Sequence, residues 1–164
     1  MTTGLFLAMA GIAMAVSIAG IGSAIGIGYA ASASAGAMSE DSKGFANYLI
    51  VSLLPGTQGI YGFVIAYLWL GKLEVLAAGA GLTAYQGLLV FFACLPVGLC
   101  GLSAIYQGKV CSAGINLMSK DSSQFGNVLI FGALPEFYAI LGLLISYFAM
   151  DKADILLKVV ASAS

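Results

Sequence analysis

Residues 125–150 read FGNVLIFGALPEFYAILGLLISYFAM, an apolar stretch with one charged residue, Glu136. A membrane-spanning helix needs roughly 20 consecutive apolar residues, so this stretch is long enough to cross a bilayer. Inside hydrocarbon the backbone must satisfy its own polar groups, which makes the stretch helical. A carboxylate near the centre of a bilayer is costly, and it commonly binds or relays an ion. Glu136 is therefore the first candidate for a functional residue.

The rest of the chain has the same apolar character. Of 164 residues, 61% are hydrophobic and 8% are charged, and the mean hydropathy is +1.04. Three further apolar stretches, 4–38, 45–70 and 75–118, alternate with short polar segments. We therefore predict an all-α integral membrane protein with four transmembrane helices and no soluble catalytic domain. The first stretch lacks a basic start and is long, so we expect a spanning helix and not a cleaved signal peptide.

The chain contains an internal duplication. When it is aligned on itself with a shift of 80 residues, the identical segments include SAI at 23–25 and 103–105, MS at 38–39 and 118–119, and LP at 54–55 and 134–135. Each copy holds two apolar stretches, so the two copies share one orientation in the membrane. We predict two helical hairpins: residues 1–80 form the first, without a carboxylate in its membrane interior, and residues 81–164 form the second, which carries Glu136.

The two helices of each hairpin differ in side-chain size. The first helix is rich in Gly, Ala and Ser, and pairs such as Gly22 and Gly26 are four residues apart, which lets helix backbones approach closely in lipid. The second helix carries many large aromatic residues. Narrow and bulky helices suit wedge-shaped subunits that assemble side by side into a ring, with the narrow helices inside. Close packing within a single four-helix bundle explains the small residues equally well.

Four oxygen-bearing side chains lie at one predicted depth. Glu136, Thr57 and Gln58 follow a polar loop by 11 to 13 residues, and Gln107 precedes one by 11. At 1.5 Å per residue, all four lie about 16–20 Å from a loop end. The proline that follows Leu54 disturbs the helical hydrogen bonding, which leaves a backbone carbonyl near Leu54 available. The four side chains and this carbonyl would converge in the membrane interior.

Such a group of oxygens favours a hard monovalent cation. Hard cations take oxygen ligands, and one carboxylate neutralises one positive charge, so a divalent ion would leave charge uncompensated in lipid. A proton carrier needs only the carboxyl group and one hydrogen-bond partner. The pattern therefore favours Na⁺ as the bound ion, with a proton-carrying version as the alternative. Taken singly, each amide or hydroxyl is also explained as an interhelical hydrogen bond.

Lys109 is the other charged residue inside an apolar stretch. It lies two residues after Gln107, roughly 200° around the helix, so it should point away from the oxygen cluster. Its long aliphatic stem can carry the ammonium group towards the membrane interface. The three cysteines have neither metal-ligand spacing nor a paired framework, and we interpret them as small packing residues.

Three segments now indicate a family: LPGTQGIY at 54–61, QGK at 107–109 and LPEFYAIL at 134–141. They closely resemble the K subunits, the c-type proteolipids, of bacterial sodium-translocating V-type ATPases, and the resemblance covers nearly the whole chain. It implies a homo-oligomeric membrane rotor ring that carries one Na⁺ per protomer between two half-channels. It also implies that the chain is a transport component and not an enzyme on its own.

The same resemblance implies a role for each candidate site residue. Glu136 would be the ion-carrying carboxylate, and the further Na⁺ ligands would be the side chains of Thr57, Gln58 and Gln107 and the backbone oxygen of Leu54. Tyr61 would donate a hydrogen bond to Glu136 and hold it in place.

The resemblance also implies partners. These are a membrane stator subunit with an arginine that displaces the ion, a central-stalk subunit, a separate soluble sector that handles ATP, and membrane lipid. The chain has no phosphate-binding loop, so we expect no direct nucleotide binding and no nucleic-acid partner. From the residues alone, two other classes stay open: a small secondary ion transporter or channel, and a purely structural four-span protein.

Overall fold

The computed structural model describes residues 2–40, 42–77 and 81–163, with side chains of 74–77 and 154–163 outside that description. The described residues form seven α-helices: α1 (Thr3–Glu40), α2 (Phe45–Leu53), α3 (Thr57–Ala77), α4 (Ala84–Cys100), α5 (Ser103–Met118), α6 (Phe125–Ala133) and α7 (Glu136–Ala163). Short 3₁₀ turns at Ser42–Gly44, Leu54–Gly56 and Ser122–Gln124 connect some of them.

Consecutive elements join end to end into four segments that are long and apolar enough to cross a membrane. The segments are Thr3–Glu40, Ser42–Leu73, Ala84–Met118 and Ser122–Ala153. The prediction of an all-α, four-span protein is confirmed. The predicted boundary between the hairpins, residues 80 and 81, adjoins residues 78–80, which lie outside the described part of the chain. That boundary therefore stays a prediction.

The start of the third span differs from the sequence prediction. We predicted an apolar stretch from residue 75, but α3 continues to Ala77 and α4 begins only at Ala84. A capping box fixes this start, because Thr83 Oγ1 accepts from the backbone N–H of Gln86 at 3.3 Å and Gln86 Oε1 accepts from the N–H of Thr83 at 2.8 Å. Hydropathy does not mark helix ends, whereas capping chemistry does.

Three of the four spans are interrupted near their middle. The second is broken by the 3₁₀ turn at Leu54–Gly56, and the fourth by a turn at residues 134–135. Both breaks contain a proline, which removes a backbone donor, and both were anticipated as disturbed helix. The third span is broken at residues 101–102, which the sequence did not predict.

The break in the third span lies where that span packs closely against α1. A Cβ atom on Gly101 would lie 2.6 Å from Ala19 Cβ, so the backbone at this position is in close contact with α1. The turn is held by short-range bonds, such as the Leu102 N–H to the Leu99 carbonyl at 3.1 Å. Equally close backbone contacts at Gly26 and Gly108 leave their helices unbroken, so packing alone does not account for the break; Pro96 inside α4 and Gly101 at its end lie beside it.

The small-residue helices pack backbone to backbone. A Cβ atom on Gly26 would lie 2.2 Å from the Ala104 carbonyl oxygen, and one on Gly108 would lie 2.2 Å from the Gly26 carbonyl oxygen. Such close approach is what small residues allow between helices in lipid. By contrast, a Cβ atom on Gly28 would meet nothing within 4 Å, so this residue faces outward.

Two apolar clusters lie along the bundle. The first is built around Ile65, Trp69 and Val90, and Tyr61 packs against it. The second is built around Tyr48, Val51 and Ile115, with Leu54 packed against it. The helix breaks lie at the junction between the two clusters, and the polar side chains gather there.

Candidate cation site at the helix breaks

The helix breaks place the carboxylate at a helix N-terminus. Glu136 is the first residue of α7, directly after the turn at residues 134–135. The N-terminus of a helix carries a partial positive charge and several unpaired N–H groups, which favour an anion there. Thr57 is likewise the first residue of α3, after the break at Leu54–Gly56. The two prolines therefore create helix ends near the middle of their spans.

Both oxygens of the Glu136 carboxylate have donors. Tyr61 Oη donates to Oε1 at 2.6 Å, and Gln107 Nε2 donates to Oε2 at 3.3 Å. Hydrogen bonds to an ionised carboxylate are shorter and stronger than neutral ones, and the Tyr61 bond has the length typical of that class. These two donors fix the orientation of a carboxylate that is itself only partly buried.

Two glutamine side chains continue the network into the interior. Gln58 and Gln107 are each 0% exposed. Gln58 Nε2 donates to Gln107 Oε1, and Gln107 Nε2 also donates to the Gly132 carbonyl at 2.9 Å. A buried amide without partners would cost about 1–3 kcal/mol, so these bonds are a condition of the fold.

The network ends at the break in the second span. Thr57 Oγ1 donates to the Leu54 carbonyl at 3.0 Å and lies 3.3 Å from Gln58 Oε1. The structure thus brings together all six residues singled out from the sequence, in one hydrogen-bonded chain from the Leu54 carbonyl to the Tyr61 hydroxyl. That these residues bind an ion stays a prediction.

Two further backbone groups beside the helix breaks have side-chain partners that the sequence analysis missed. The Gly132 carbonyl belongs to the last turn of α6, and the N–H of Gly59 belongs to the first turn of α3. Both are groups that a helix end leaves without an intrahelical partner. The side-chain amide of Gln107 donates to the Gly132 carbonyl, and Ser23 Oγ accepts from the Gly59 N–H at 2.8 Å. Pro55 and Pro135 free the carbonyls four residues earlier, at positions 51 and 131, so counting back from the prolines does not point to these two groups.

The arrangement offers several oxygens but a single formal charge. The candidate ligand atoms are the carboxylate of Glu136, the amide oxygens of Gln58 and Gln107, the hydroxyl of Thr57 and the carbonyl of Leu54. Oxygen ligands suit a hard cation, and one carboxylate balances one positive charge. Because the amides and the hydroxyl can turn, their lone pairs can be directed at an ion that enters the network. The chemistry fits reversible binding of a monovalent cation.

Comparison with known proteins adds a family match in both halves. Residues 10–69 and 91–149 each match the family of ATP synthase C subunits. The two matches agree with the predicted duplication.

Individual relatives are similar along most of the chain. The K subunit of a V-type sodium ATPase from Enterococcus hirae is 42% identical over 151 residues, which are 92% of this chain and 94% of that protein. The K subunit of an A-type ATP synthase from Methanocaldococcus jannaschii is 41% identical over 142 residues, 87% of this chain and 60% of that protein. The 16 kDa proteolipid of a V-type proton ATPase from Ascaris suum is 32% identical over 99 residues, 60% of each.

Proposed function

Because this chain belongs to the ATP synthase C-subunit family, we propose that it is the ion-carrying proteolipid of the membrane rotor ring of a V- or A-type rotary ATPase. In this role it is a transport component and not a catalyst. Each protomer binds one Na⁺ and carries it through the membrane as a ring of identical protomers turns.

The observation that carries the proposal is the hydrogen-bonded network around Glu136. A lone carboxylate in a span is tolerated when an ion or a proton neutralises it. Here it lies at a helix N-terminus and has two donors, with further oxygens linked behind them. A structural four-span protein gives no reason for this concentration of buried polar groups at helix breaks. A secondary transporter would share the carboxylate but not the similarity to rotor proteolipids.

Sodium is favoured over the proton for two reasons. The side chains of Thr57, Gln58 and Gln107 supply more lone pairs than protonation of one carboxyl group requires. In addition, the similarity to the Enterococcus hirae sodium ATPase protein is higher and longer than that to the Ascaris suum proton ATPase protein. The proton-carrying rotor is the second candidate, because its relatives also match the chain.

The transport step follows from electrostatics. With Na⁺ bound, the Glu136 carboxylate and its ion carry no net charge and can face lipid. A cationic group on a stationary membrane protein, such as an arginine, competes with Na⁺ for the carboxylate and releases the ion to an aqueous channel. The bare carboxylate cannot return to lipid until it is reloaded, so rotation has a direction. The first hairpin has Gly56 at the repeat position of Glu136, so each protomer carries one ion.

The test is protection of Glu136 from a carboxyl-directed carbodiimide in purified rings. This reagent reacts with the protonated carboxyl group, so labelling is measured at a mildly acidic pH with either NaCl or choline chloride at equal ionic strength. We expect Glu136 to be labelled much more slowly in NaCl than in choline chloride. The variant Glu136→Gln identifies the background. Equal labelling rates in the two salts would overturn the Na⁺ assignment and favour the proton.

A further inference from the structure

The contact between the two hairpins is built from glycines on α1 and on the third span. A Cβ atom on Gly22 would lie 2.6 Å from the Gly101 carbonyl oxygen. One on Gly108 would collide with the backbone of Gly26. Both contacts join α1 to the third span, so they define where the second hairpin packs on the first. Because the hairpins are repeats, each of them carries a version of both sides of this contact.

The unused versions lie on the opposite faces of the same helices. Tyr106 stands 80 residues after Gly26, at its repeat position, and Gly28 stands in the same way at the repeat position of Gly108. Each lies two residues from the glycine that makes the contact on its own helix, which is about 200° around the helix axis. Tyr106 therefore faces away from α1 of its own chain, and Gly28 faces away from the third span.

Both unused surfaces are exposed in a single protomer. On the first, which we call the Tyr106 surface, Leu102 and Tyr106 are 36% and 66% exposed and line a cavity of about 540 Å³ together with Pro135. On the second, the Gly28 surface, Ile21 is 58% exposed, and a Cβ atom on Gly28 would meet no described atom within 4 Å. A large ring on one surface thus corresponds to an open glycine on the other.

We propose that a second copy of the chain packs its Gly28 surface against the Tyr106 surface, an inference that rests on the ring assembly in the proposed function. The contact between protomers then repeats the contact between hairpins. The Tyr106 ring lies over Gly28 of the neighbouring protomer, and Leu102 lies against Ile21 of that protomer. Because the two surfaces differ and lie on opposite sides of the chain, successive copies join head to tail, an arrangement that can close into a ring.

The same repeat replaces the cation ligands at the contact between protomers. Ile27 and Gly56 stand at the repeat positions of the glutamine and the carboxylate that contact each other in the cation site, and Ile27 Cδ1 would lie 3.2 Å from a Cβ atom on Gly56. On the Tyr106 surface, Tyr138 stands at the repeat position of Gln58 and lines the cavity. With no carboxylate and no amide at these positions, the contact between protomers holds no second ion.

The first test is assembly of the full-length protein in mild detergent, measured by native mass spectrometry. Gly28→Val places a side chain where the Tyr106 ring of the neighbour lies, and Gly36→Val is the matched control. Gly36 is an exposed glycine on the same helix, and its repeat counterpart Asn116 is exposed as well, so the repeat places it outside the contact. We expect wild type and Gly36→Val to form a closed oligomer, and its share to fall several-fold in Gly28→Val. The double variant Gly28→Val with Tyr106→Ala should recover most of the oligomer.

The second test maps the contact without blocking it. A photoreactive benzophenone amino acid replaces Tyr106, whose exposed side chain tolerates a larger aromatic group, and the assembled protein is irradiated. The cross-linked fragments are identified by mass spectrometry. We expect cross-links between two chains, from position 106 of one to the segment around Gly28 of the other.

Four results would overturn the contact. They are equal oligomer content in Gly28→Val and wild type, equal loss in Gly28→Val and Gly36→Val, a double variant that stays dissociated, and cross-links from position 106 only to lipid or to another protein. A wild-type protein that forms no oligomer would overturn the proposed function as well. A wild-type ring whose cross-links lie elsewhere would overturn this contact alone.

Discussion

The substitution Tyr61→Phe tests the hydrogen bond that holds the Glu136 carboxylate. It removes the hydroxyl group that lies 2.6 Å from Glu136 Oε1 and keeps the ring that packs on the first apolar cluster. A hydrogen bond to a charged group contributes about 1.5–3 kcal/mol. Because Glu136 is partly exposed, we take the lower end, about 1.5 kcal/mol, which corresponds to roughly a tenfold loss in Na⁺ affinity.

The assay is the Na⁺ concentration that halves the carbodiimide labelling of Glu136 in purified rings. The matched control is Tyr67→Phe, which removes a hydroxyl from the same helix at a side chain that is 66% exposed and stacks on Phe63. We expect the half-protecting concentration to rise about tenfold in Tyr61→Phe and to stay unchanged in Tyr67→Phe. If both variants behave like wild type, the Tyr61 bond does not hold the ion-binding conformation and the reasoning from its geometry is refuted.

Three other predictions follow from the same structure. Glu136→Gln should abolish ATP-driven Na⁺ uptake into vesicles while the ring still assembles, and uptake that survives would contradict the carrier role. Gly26→Val should destabilise the protein by about 1–3 kcal/mol in thermal unfolding, because its Cβ would collide with the Ala104 carbonyl, whereas Gly28→Val should leave the fold of the protomer unchanged. Hydrogen bonds from Ser123 and Gln124 lower the pKa of the Asp121 carboxyl below its ordinary value. The contribution of Asp121 to stability is therefore present at neutral pH and is lost as the pH falls through the lowered pKa. The melting temperatures of wild type and Asp121→Ala should converge in acid.

The sequence predicted the spans and the level of the candidate site because both depend on local quantities. Hydropathy sets where a helix can cross a bilayer, and a count of residues from the loops sets depth. Glu136, Thr57 and Gln107 therefore emerged together. Gln58 emerged with them for the same reason, whereas the hydrogen bond from Tyr61 to Glu136 was expected from the family resemblance.

The remaining features depend on contacts between helices. The break at Gly101 lies where α1 packs closely on the third span, and Pro96, five residues earlier inside α4, does not mark its position. The role of the Gly132 carbonyl becomes apparent only when α6 is known to end before residue 134. The glycines were ambiguous for the same reason: Gly26 serves packing within the chain, whereas Gly28 is open to a neighbour.

The glycine at position 56 has a consequence for the energetics of the whole rotor. On the proposed function, the four spans share one ion-carrying carboxylate, so a ring of given circumference moves fewer ions in each revolution than one with a carboxylate on every hairpin. For a fixed amount of ATP consumed per revolution, the work available to each ion is correspondingly larger. On the proposed function, one carrier carboxylate for two hairpins thus lowers the number of ions moved and raises the gradient against which each can be pumped.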